Sequence, residues 1–344
     1  MIDALEETLA SVRQDFAVET FPDGGVLLHL PSGEFFQLET RAAAVWSAVG
    51  GEASAEATVA QTAASLGLSA AEARGVLDSV LAQARSLHVG RPVIPPAFWD
   101  DEQILSLRDG ARTLMSLDKR ASTLTVADGL REGSDQELAA ALRVFVPKIF
   151  GQWFPLAMHA SAVNVGDRTI MFCGESGAGK TTTAHMLAEE LTGSQLLSED
   201  MVAFRDEIGT LMMVDGVEAV VRAWMSDATA ALVERRESRC DVAGLRVALE
   251  GETARRPIHK AIFLRAERRR GPVWSFEPVS PAVAIGRLLL YSFLPSPGTI
   301  ALRSHLRACH TLAGQIHAAD AAAVPDGLAA LRRASRAQSL TIAS

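Results

Sequence analysis

The stretch CGESGAGKTTTAHML, Cys173–Leu187, contains the pattern Gly-x-x-x-x-Gly-Lys-Thr from Gly174 to Thr181. In this pattern the glycines let successive backbone N–H groups surround an anion, the lysine reaches the outer phosphates, and the hydroxyl binds magnesium. The preceding residues, RTIMFCG, predict a buried strand, and TTTAHMLAEEL repeats apolar residues at helical spacing. Strand, glycine loop and helix in this order predict a phosphate-binding loop, and the start of the helix adds its free N–H groups.

The loop therefore supplies the predicted nucleotide-binding residues, with ATP as donor and Mg²⁺ as its metal. These residues are Gly174, Glu175, Ser176, Gly177, Ala178, Gly179, Lys180, Thr181 and Thr182. Lys180 is predicted to assist catalysis by meeting the outer phosphates, and Thr181 to ligate the metal. A purely structural glycine turn is the alternative, and the flanking strand and helix disfavour it.

A pair of carboxylates follows the loop. The run LLSEDMVAF places Glu199 and Asp200 after an apolar stretch, about twenty residues beyond Lys180. Two adjacent carboxylates can divide the work, because one can ligate magnesium while the other accepts the proton of an acceptor hydroxyl. We assign the metal to Glu199 and favour Asp200 as the base. A solvated acidic turn is the alternative reading.

Composition limits the class of protein. The 344 residues are 48% hydrophobic and carry a net charge of −8, which argues against a surface made for nucleic acid or an anionic membrane. The first residues, MIDALEETLASVRQDF, lack the features of a secretion signal, and the apolar run AVAIGRLLLYSFL is too short to span a bilayer. Three cysteines without metal-ligand spacing fit reduced thiols. We expect a cytoplasmic protein with no nucleic-acid or membrane partner.

The chain divides into five predicted segments and belongs to the mixed α/β class. They are an amphipathic N-terminal segment at 1–17, a small domain at 18–90, a proline-rich linker at 91–100, a phosphate-loop α/β domain at 101–335 and a tail at 336–344. The small domain combines a predicted hairpin, GGVLLHL and EFFQL, with three helices, an arrangement like a winged helix. Its third helix opens with a capping box from Ser69 to Glu72.

The α/β domain alternates strand and helix signals. EQILSL and ARTLMSL predict paired strands, SDQELAAALRVFVPKIF a helix, and PLAMHASAVNVGDRTIMFCG a hairpin that leads into the loop. After the loop, SQLLSEDMVAF, GTLMMVDG and HKAIFLRA predict strands, and SPAVAIGRLLLYSF and SHLRACHTLAG predict helices.

The small domain resembles the PqqD-like RiPP recognition elements. The similarity lies in GGVLLHLPSGEFFQLETRAAAVWSAVGG followed by VLDSVLAQARSLHV. The resemblance implies that the leader of a precursor peptide binds as an added strand on the hairpin edge, beside the third helix. A structural or dimerising appendage is the alternative. A duplex partner is disfavoured because Glu72 and Asp78 accompany Arg74 and Arg85 on that helix.

The second domain resembles the HPr kinases and their relatives. The similarity lies in MHASAVNVGDRTIMFCGESGAGKTTTAHML followed by LLSEDMVAF. The resemblance implies that His159, otherwise read as a core histidine, belongs to the catalytic set with Asp200, Glu199 and Lys180. The glycine-rich downstream signature of true HPr kinases has no clear counterpart in DVAGLRVALEGETARRPIHK. HPr is therefore a disfavoured substrate.

Together these features predict an ATP-dependent kinase that phosphorylates a Ser or Thr hydroxyl of a ribosomally made precursor peptide. Two alternatives remain open at this point: a regulatory kinase that acts on a folded HPr-like carrier, and a peptide chaperone that binds nucleotide without catalysis. The sequence leaves the oligomeric state open, a homo-oligomer included.

Overall fold

The computed structural model describes residues 2–86, 98–101, 103–109, 111–234, 237–250, 254–265, 276–295 and 300–322. This part of the chain is a mixed α/β structure with four β-sheets. The predicted linker falls outside the described residues at 91–97, as does the predicted tail at 336–344, whereas Phe98–Asp100 forms a short strand. No helix in the described ranges is long and apolar enough to cross a membrane.

The N-terminal module contains the predicted hairpin and three helices, together with one more strand and one more helix. Its elements are α1 (Ile2–Asp15), β1 (Phe16–Phe21), β2 (Gly24–His29), β3 (Glu34–Glu39), α2 (Thr40–Gly50), α3 (Ala55–Leu66) and α4 (Ala70–Ser86). The strand order is β1-β2-β3, all antiparallel. Our prediction of two strands missed β1, although Pro22, Asp23 and Gly24 form a turn signal between β1 and β2.

The capping box of α4 is present as predicted. The Ser69 backbone N–H donates to Glu72 Oε2 at 2.9 Å, and the Glu72 N–H donates to Ser69 Oγ at 3.3 Å. Leu5 and Leu9 of α1 are buried with Leu77 and Leu81 of α4, so the amphipathic N-terminal segment packs into the core of the module.

The central sheet has six strands. Their order is β11 (Ser194–Ser198), β9 (Ala160–Val165), β10 (Arg168–Gly174), β16 (Lys260–Arg265), β18 (His317–Ala322) and β17 (Phe276–Val279). Strands β10, β16 and β18 are parallel, and β9 forms the predicted antiparallel hairpin with β10. Three helices accompany this sheet: α7 (Lys180–Glu190), α10 (Pro281–Tyr291) and α11 (Ile300–Gln315). The phosphate-loop sequence therefore lies at the carboxyl end of a parallel strand, where ligands of open α/β sheets bind.

A second sheet of four strands adjoins the central one. Its order is β15 (Arg255–Pro257), β13 (Thr210–Val214), β12 (Val202–Glu207) and β8 (Leu156–Met158). The chain passes directly between the two sheets three times: from β8 to β9 through a single residue, His159, from β11 to β12 through residues 199–201, and from β15 to β16 through residues 258–259. Because Met158 pairs with Val202 and Ala162 with Ser198, the first two passages lie side by side.

The third part of this domain is a five-stranded antiparallel sheet with a helical layer. The strand order is β14 (Arg239–Asp241), β7 (Thr123–Val126), β6 (Arg112–Asp118), β5 (Ile104–Asp109) and β4 (Phe98–Asp100). The helices are α5 (Asp128–Arg131), α6 (Asp135–Trp153), α8 (Val217–Thr229) and α9 (Ala243–Glu250), with a π-helical turn at Ala230–Glu234. Leu142, Phe145 and Ile149 of α6 are fully buried against this sheet.

The sheet of the N-terminal module is covered on both faces. Val26 and Leu28 of β2 are fully buried in the same cluster as Ile285, Leu288 and Leu289 of α10. Burial of each such side chain stabilises the folded state by roughly 1.5–3 kcal/mol. The module is therefore an integral layer of the fold, which explains why β2 is an uninterrupted apolar run rather than an alternating one.

Polar contacts fix the position of the module on α10 and α11. Gln37 Nε2 on β3 donates to the carbonyl oxygens of Gly25 at 3.0 Å and Ala282 at 2.8 Å. On the other side of the sheet, the ring of Phe21 stacks on His310 of α11, with centroids 4.4 Å apart. The side chain of Gln37 on β3 thus contacts α10, and that of Phe21 on β1 contacts α11.

His305 is a buried titratable group beneath α10. It lies on α11, is 1% exposed, and its Nε2 is 2.7 Å from Ser292 Oγ. Burial, together with the charge of Lys148, lowers the pKa of His305 from 6.5 to about 4. The imidazole is therefore neutral in the folded protein under conditions in which the unfolded chain protonates it.

We predict that this histidine makes the fold acid-sensitive. Between pH 6.5 and about pH 4, His305 is protonated in the unfolded chain but not in the folded chain. The free energy of unfolding is therefore highest above pH 6.5 and decreases as the pH falls through this range. The pKa difference corresponds to roughly 3 kcal/mol. His305→Gln keeps a donor toward Ser292 but does not titrate, so urea unfolding of this variant should lose less stability between pH 7 and pH 4.5 than the wild type. The exposed His317→Gln is the control, and equal acid losses in wild type and His305→Gln would contradict the prediction.

Candidate active site

The phosphate-loop residues form a turn between β10 and α7. Gly174 ends β10, and a Cβ added there would lie 2.7 Å from the carbonyl oxygen of Leu264 on β16, so only glycine fits. Gly177 and Gly179 have φ of 80° and 90°, which other residues rarely adopt. These positions therefore favour glycine, and α7 begins directly after the loop at Lys180.

Lys180 bridges the loop from within. Its side chain is buried, 5% exposed, and Nζ donates to the carbonyl oxygens of Gly174 at 3.0 Å and Glu175 at 3.1 Å. Burial lowers the pKa of the Lys180 ammonium, while the carboxylate of Asp200 acts in the opposite direction. The ammonium is thus held against the backbone of the loop, within electrostatic reach of Asp200.

The turn at 199–201 lies against the start of α7. Thr181 Oγ1 donates to the carbonyl oxygen of Glu199 at 3.1 Å. One helical turn later, His185 Nε2 lies 3.0 Å from Glu199 Oε1. Since residues four apart share a face of a helix, α7 presents two side chains to the same glutamate.

The Glu199 carboxylate is held by two basic side chains. Arg222 of α8 forms an ion pair with it, and His185 contacts its other oxygen. The hydrogen bond from the Arg222 guanidinium lowers the pKa of the Glu199 carboxyl below its ordinary value, and the hydrogen bond from His185 adds to this effect. Glu199 is therefore ionised at neutral pH.

The predicted metal ligands fit magnesium by donor type. Thr181 Oγ1 and the Glu199 carboxylate are oxygen donors, and the hydroxyl lies beside the main chain of Glu199. No three or more His, Cys, Asp and Glu side chains of the described residues are grouped so as to hold a metal by themselves. Magnesium at phosphate sites uses one or two carboxylates with phosphate oxygens and water, so a smaller protein set suffices. A cation that ligates Glu199 would compete with Arg222.

Asp200 faces His159 across the two passages. His159 Nδ1 lies 3.0 Å from Asp200 Oδ1, and the Asp200 side chain is 64% exposed. The backbone N–H of His159 donates to the carbonyl oxygen of Tyr291 at 3.0 Å, which ties this passage to the end of α10. Asp200 is thus oriented by an imidazole and open to an incoming group.

A cavity of about 300 Å³ opens beside His159. It is lined by His159, by the first loop residues Gly174–Ser176, by Tyr291 at the end of α10 and by Phe293 just after it. In a phosphate loop the lysine meets the outermost phosphates. The cavity therefore connects His159 with the first residues of the loop.

The structure brings the predicted site residues together at the carboxyl end of β10. The loop up to Thr181, the pair Glu199 and Asp200, and His159 are linked by contacts, and Thr182 follows Thr181 in the first turn of α7. Sequence reasoning missed His185, Glu218 and Arg222. The spacing of Glu218 and Arg222 indicates an ion pair within α8, but no signal in the sequence relates α8 to the turn at 199–201.

The chain was compared with protein families, curated proteins and solved structures. No family model matches the chain, and no curated protein matches it. Among solved structures, 24 chains match. One is the Hpr(Ser) kinase/phosphatase from Coxiella burnetii, which is 14% identical, covers 55% of this chain and 99% of its own, and has a TM-score of 0.27. The function proposed below therefore rests on the geometry of the site and not on this likeness.

Proposed function

We propose that the chain is a phosphotransferase that moves the γ-phosphoryl group of ATP to a Ser or Thr hydroxyl of a ribosomally made precursor peptide. The observation that carries the proposal is the convergence of Lys180, the Thr181–Glu199 contact and the Asp200–His159 pair at the carboxyl end of β10. Phosphoryl transfer requires held phosphates, neutralised charge and an oriented nucleophile, and these groups answer to each requirement.

Binding of the donor falls to the loop and α7. The backbone N–H groups of the loop and the Lys180 ammonium hold the phosphates, and Thr181 with Glu199 provides oxygen ligands for magnesium. Bound magnesium would neutralise charge on the phosphates. If Glu199 ligated a metal, the guanidinium of Arg222 would keep its second carboxylate partner, Glu218.

Activation of the acceptor falls to Asp200. Its carboxylate accepts the proton of the acceptor hydroxyl as that oxygen bonds to phosphorus and the bond from phosphorus to the leaving oxygen breaks. His159 orients this carboxylate through the 3.0 Å contact. The cavity beside His159 admits the side chain that bears the hydroxyl. The leaving group, ADP, stays bound to the loop through its phosphates.

We predict that Asp200→Asn abolishes most transfer without weakening donor binding. The amide keeps the shape and the contact to His159 but cannot take a proton, so kcat should fall roughly 10²–10⁴-fold. The nucleotide Kd, measured by calorimetry, should stay within about twofold because Lys180 and the loop are untouched. Phosphopeptide is quantified by mass spectrometry with a short peptide encoded beside the gene as acceptor.

Asp206→Asn is the matched control, since Asp206 lies on β12 and accepts the N–H of Gly209 in a turn. Wild-type kcat in Asp200→Asn would remove Asp200 from the mechanism. A wild-type protein that binds nucleotide and peptide yet yields no phosphopeptide would favour the chaperone reading.

The leader-binding part of the proposal assigns β3 as the docking edge. Both faces of the module's sheet are covered, so an extended peptide can join it only at an edge. At the β1 edge, His310 Nε2 lies 3.2 Å from the carbonyl oxygen of Thr20. Within the described residues β3 pairs on one side only, with β2. A leader on β3 would raise the concentration of its own acceptor residue near the cavity.

We predict that leader binding protects the amides of β3 and not those of β1. Strand addition supplies new acceptors to N–H groups along Glu34–Glu39, so their hydrogen exchange should slow when the peptide is added. The full chain is used, because removal of the module would expose the apolar face of α10. Phe16–Phe21 is the internal reference. Protection confined to β1 or to the active-site cavity would contradict the assignment.

A further inference from the structure

Glu218 is a third carboxylate next to the two that the site uses. It is the second residue of α8, and its side chain is 13% exposed. A carboxylate this close to Glu199 and Asp200 adds repulsion between like charges. Favourable contacts of Glu218 must therefore offset this repulsion. Among these contacts are the hydrogen bonds that it accepts.

Two backbone N–H groups of the turn at 199–201 converge on a single oxygen of Glu218. Oε2 accepts the backbone N–H of Glu199 at 2.6 Å and that of Asp200 at 3.1 Å. The hydroxyl of Ser198 lies 2.9 Å from the same oxygen and 2.6 Å from the carbonyl oxygen of Met201. Hydrogen bonds to an ionised acceptor are about twice as strong as neutral ones. The carboxylate therefore holds the backbone of both predicted catalytic residues at one point.

The helix that carries Glu218 is itself firmly anchored. Val217 and Val221 of α8 are 2% and 6% exposed and pack into the core of the five-stranded sheet region. A carboxylate in the first turn of a helix is also stabilised by the helix dipole. Glu218 thus connects the turn at 199–201 to a rigid element.

Arg222 completes the arrangement. It lies four residues after Glu218 on α8 and pairs with both Glu218 and Glu199. This guanidinium offsets the repulsion between the two glutamates. The direction of the Asp200 side chain toward His159 then follows from a backbone that cannot rotate freely.

We propose that Glu218 is a positioning residue, which fixes the turn at 199–201 so that Asp200 faces His159 and the acceptor. The expected loss of kcat rests on the proposed phosphoryl transfer, whereas the expected loosening of the turn at 199–201 does not. A displacement of about 1 Å in a reacting group can cost about 10²-fold in rate. Loss of Glu218 is therefore expected to lower kcat while donor binding at the loop remains.

The test compares Glu218→Ala and Glu218→Gln with Glu207→Gln. Glu207 is an ion-paired glutamate on β12 that contacts Arg255 on β15, away from the loop, and serves as the matched control. Hydrogen exchange of the Glu199 and Asp200 amides is measured by NMR in the nucleotide-free full chain. Rates of transfer from Mg·ATP to the peptide encoded beside the gene are measured per folded molecule.

In Glu218→Ala we expect the two amides to exchange about tenfold faster, kcat to fall about 10²-fold, and the nucleotide Kd to stay within about twofold. Glu218→Gln keeps a neutral acceptor and should give intermediate values, and it carries the test should the alanine variant fail to fold. Glu207→Gln should match the wild type.

Unchanged exchange at Glu199 and Asp200 would overturn the proposal, as would faster exchange with wild-type kcat. A purely structural role would lower the melting temperature while kcat per folded molecule stayed constant, which also overturns it. Should the wild type transfer no phosphate at all, the proposed function fails, and the exchange measurement alone decides whether Glu218 fixes the turn.

Discussion

The candidate site depends on one constraint, the side-by-side passage of two chain segments between two sheets. Strand β8 leads into β9 through His159 alone, and β11 leads into β12 through residues 199–201. The pairings Met158 with Val202 and Ala162 with Ser198 fix these passages in register. Because a shift of one residue would reverse which side chains face the loop, the register of these strands determines that Asp200 meets His159.

The two carboxylates of the turn at 199–201, Glu199 and Asp200, have different charged neighbours. Glu199 forms an ion pair with Arg222 and contacts His185, whereas Asp200 contacts His159 and remains largely exposed. The buried Lys180 lies on the loop side of the same turn. Adjacent residues therefore have different environments, and this difference is the physical basis for giving one a metal role and the other a base role.

Local chemistry made much of this site predictable. The glycine pattern from Gly174 to Thr181 requires a specific backbone, so the loop, its strand and its helix follow from the sequence. The role of Glu218 could not be predicted from the sequence, because it depends on a contact between α8 and a turn about twenty residues earlier in the chain. Docking of the module on α10 was equally hidden: the apolar run of β2 indicates burial on two faces but does not identify the covering helix.

The most direct test of the account is a crystal structure of the full chain with Mg²⁺ and a non-hydrolysable ATP analogue. We predict the terminal phosphate at Lys180 Nζ, the metal at Thr181 Oγ1, and space for a hydroxyl oxygen between the phosphorus and Asp200, within about 3–3.5 Å of the phosphorus. A triphosphate bound away from the loop, or a terminal phosphate that faces away from Asp200 and His159, would contradict it.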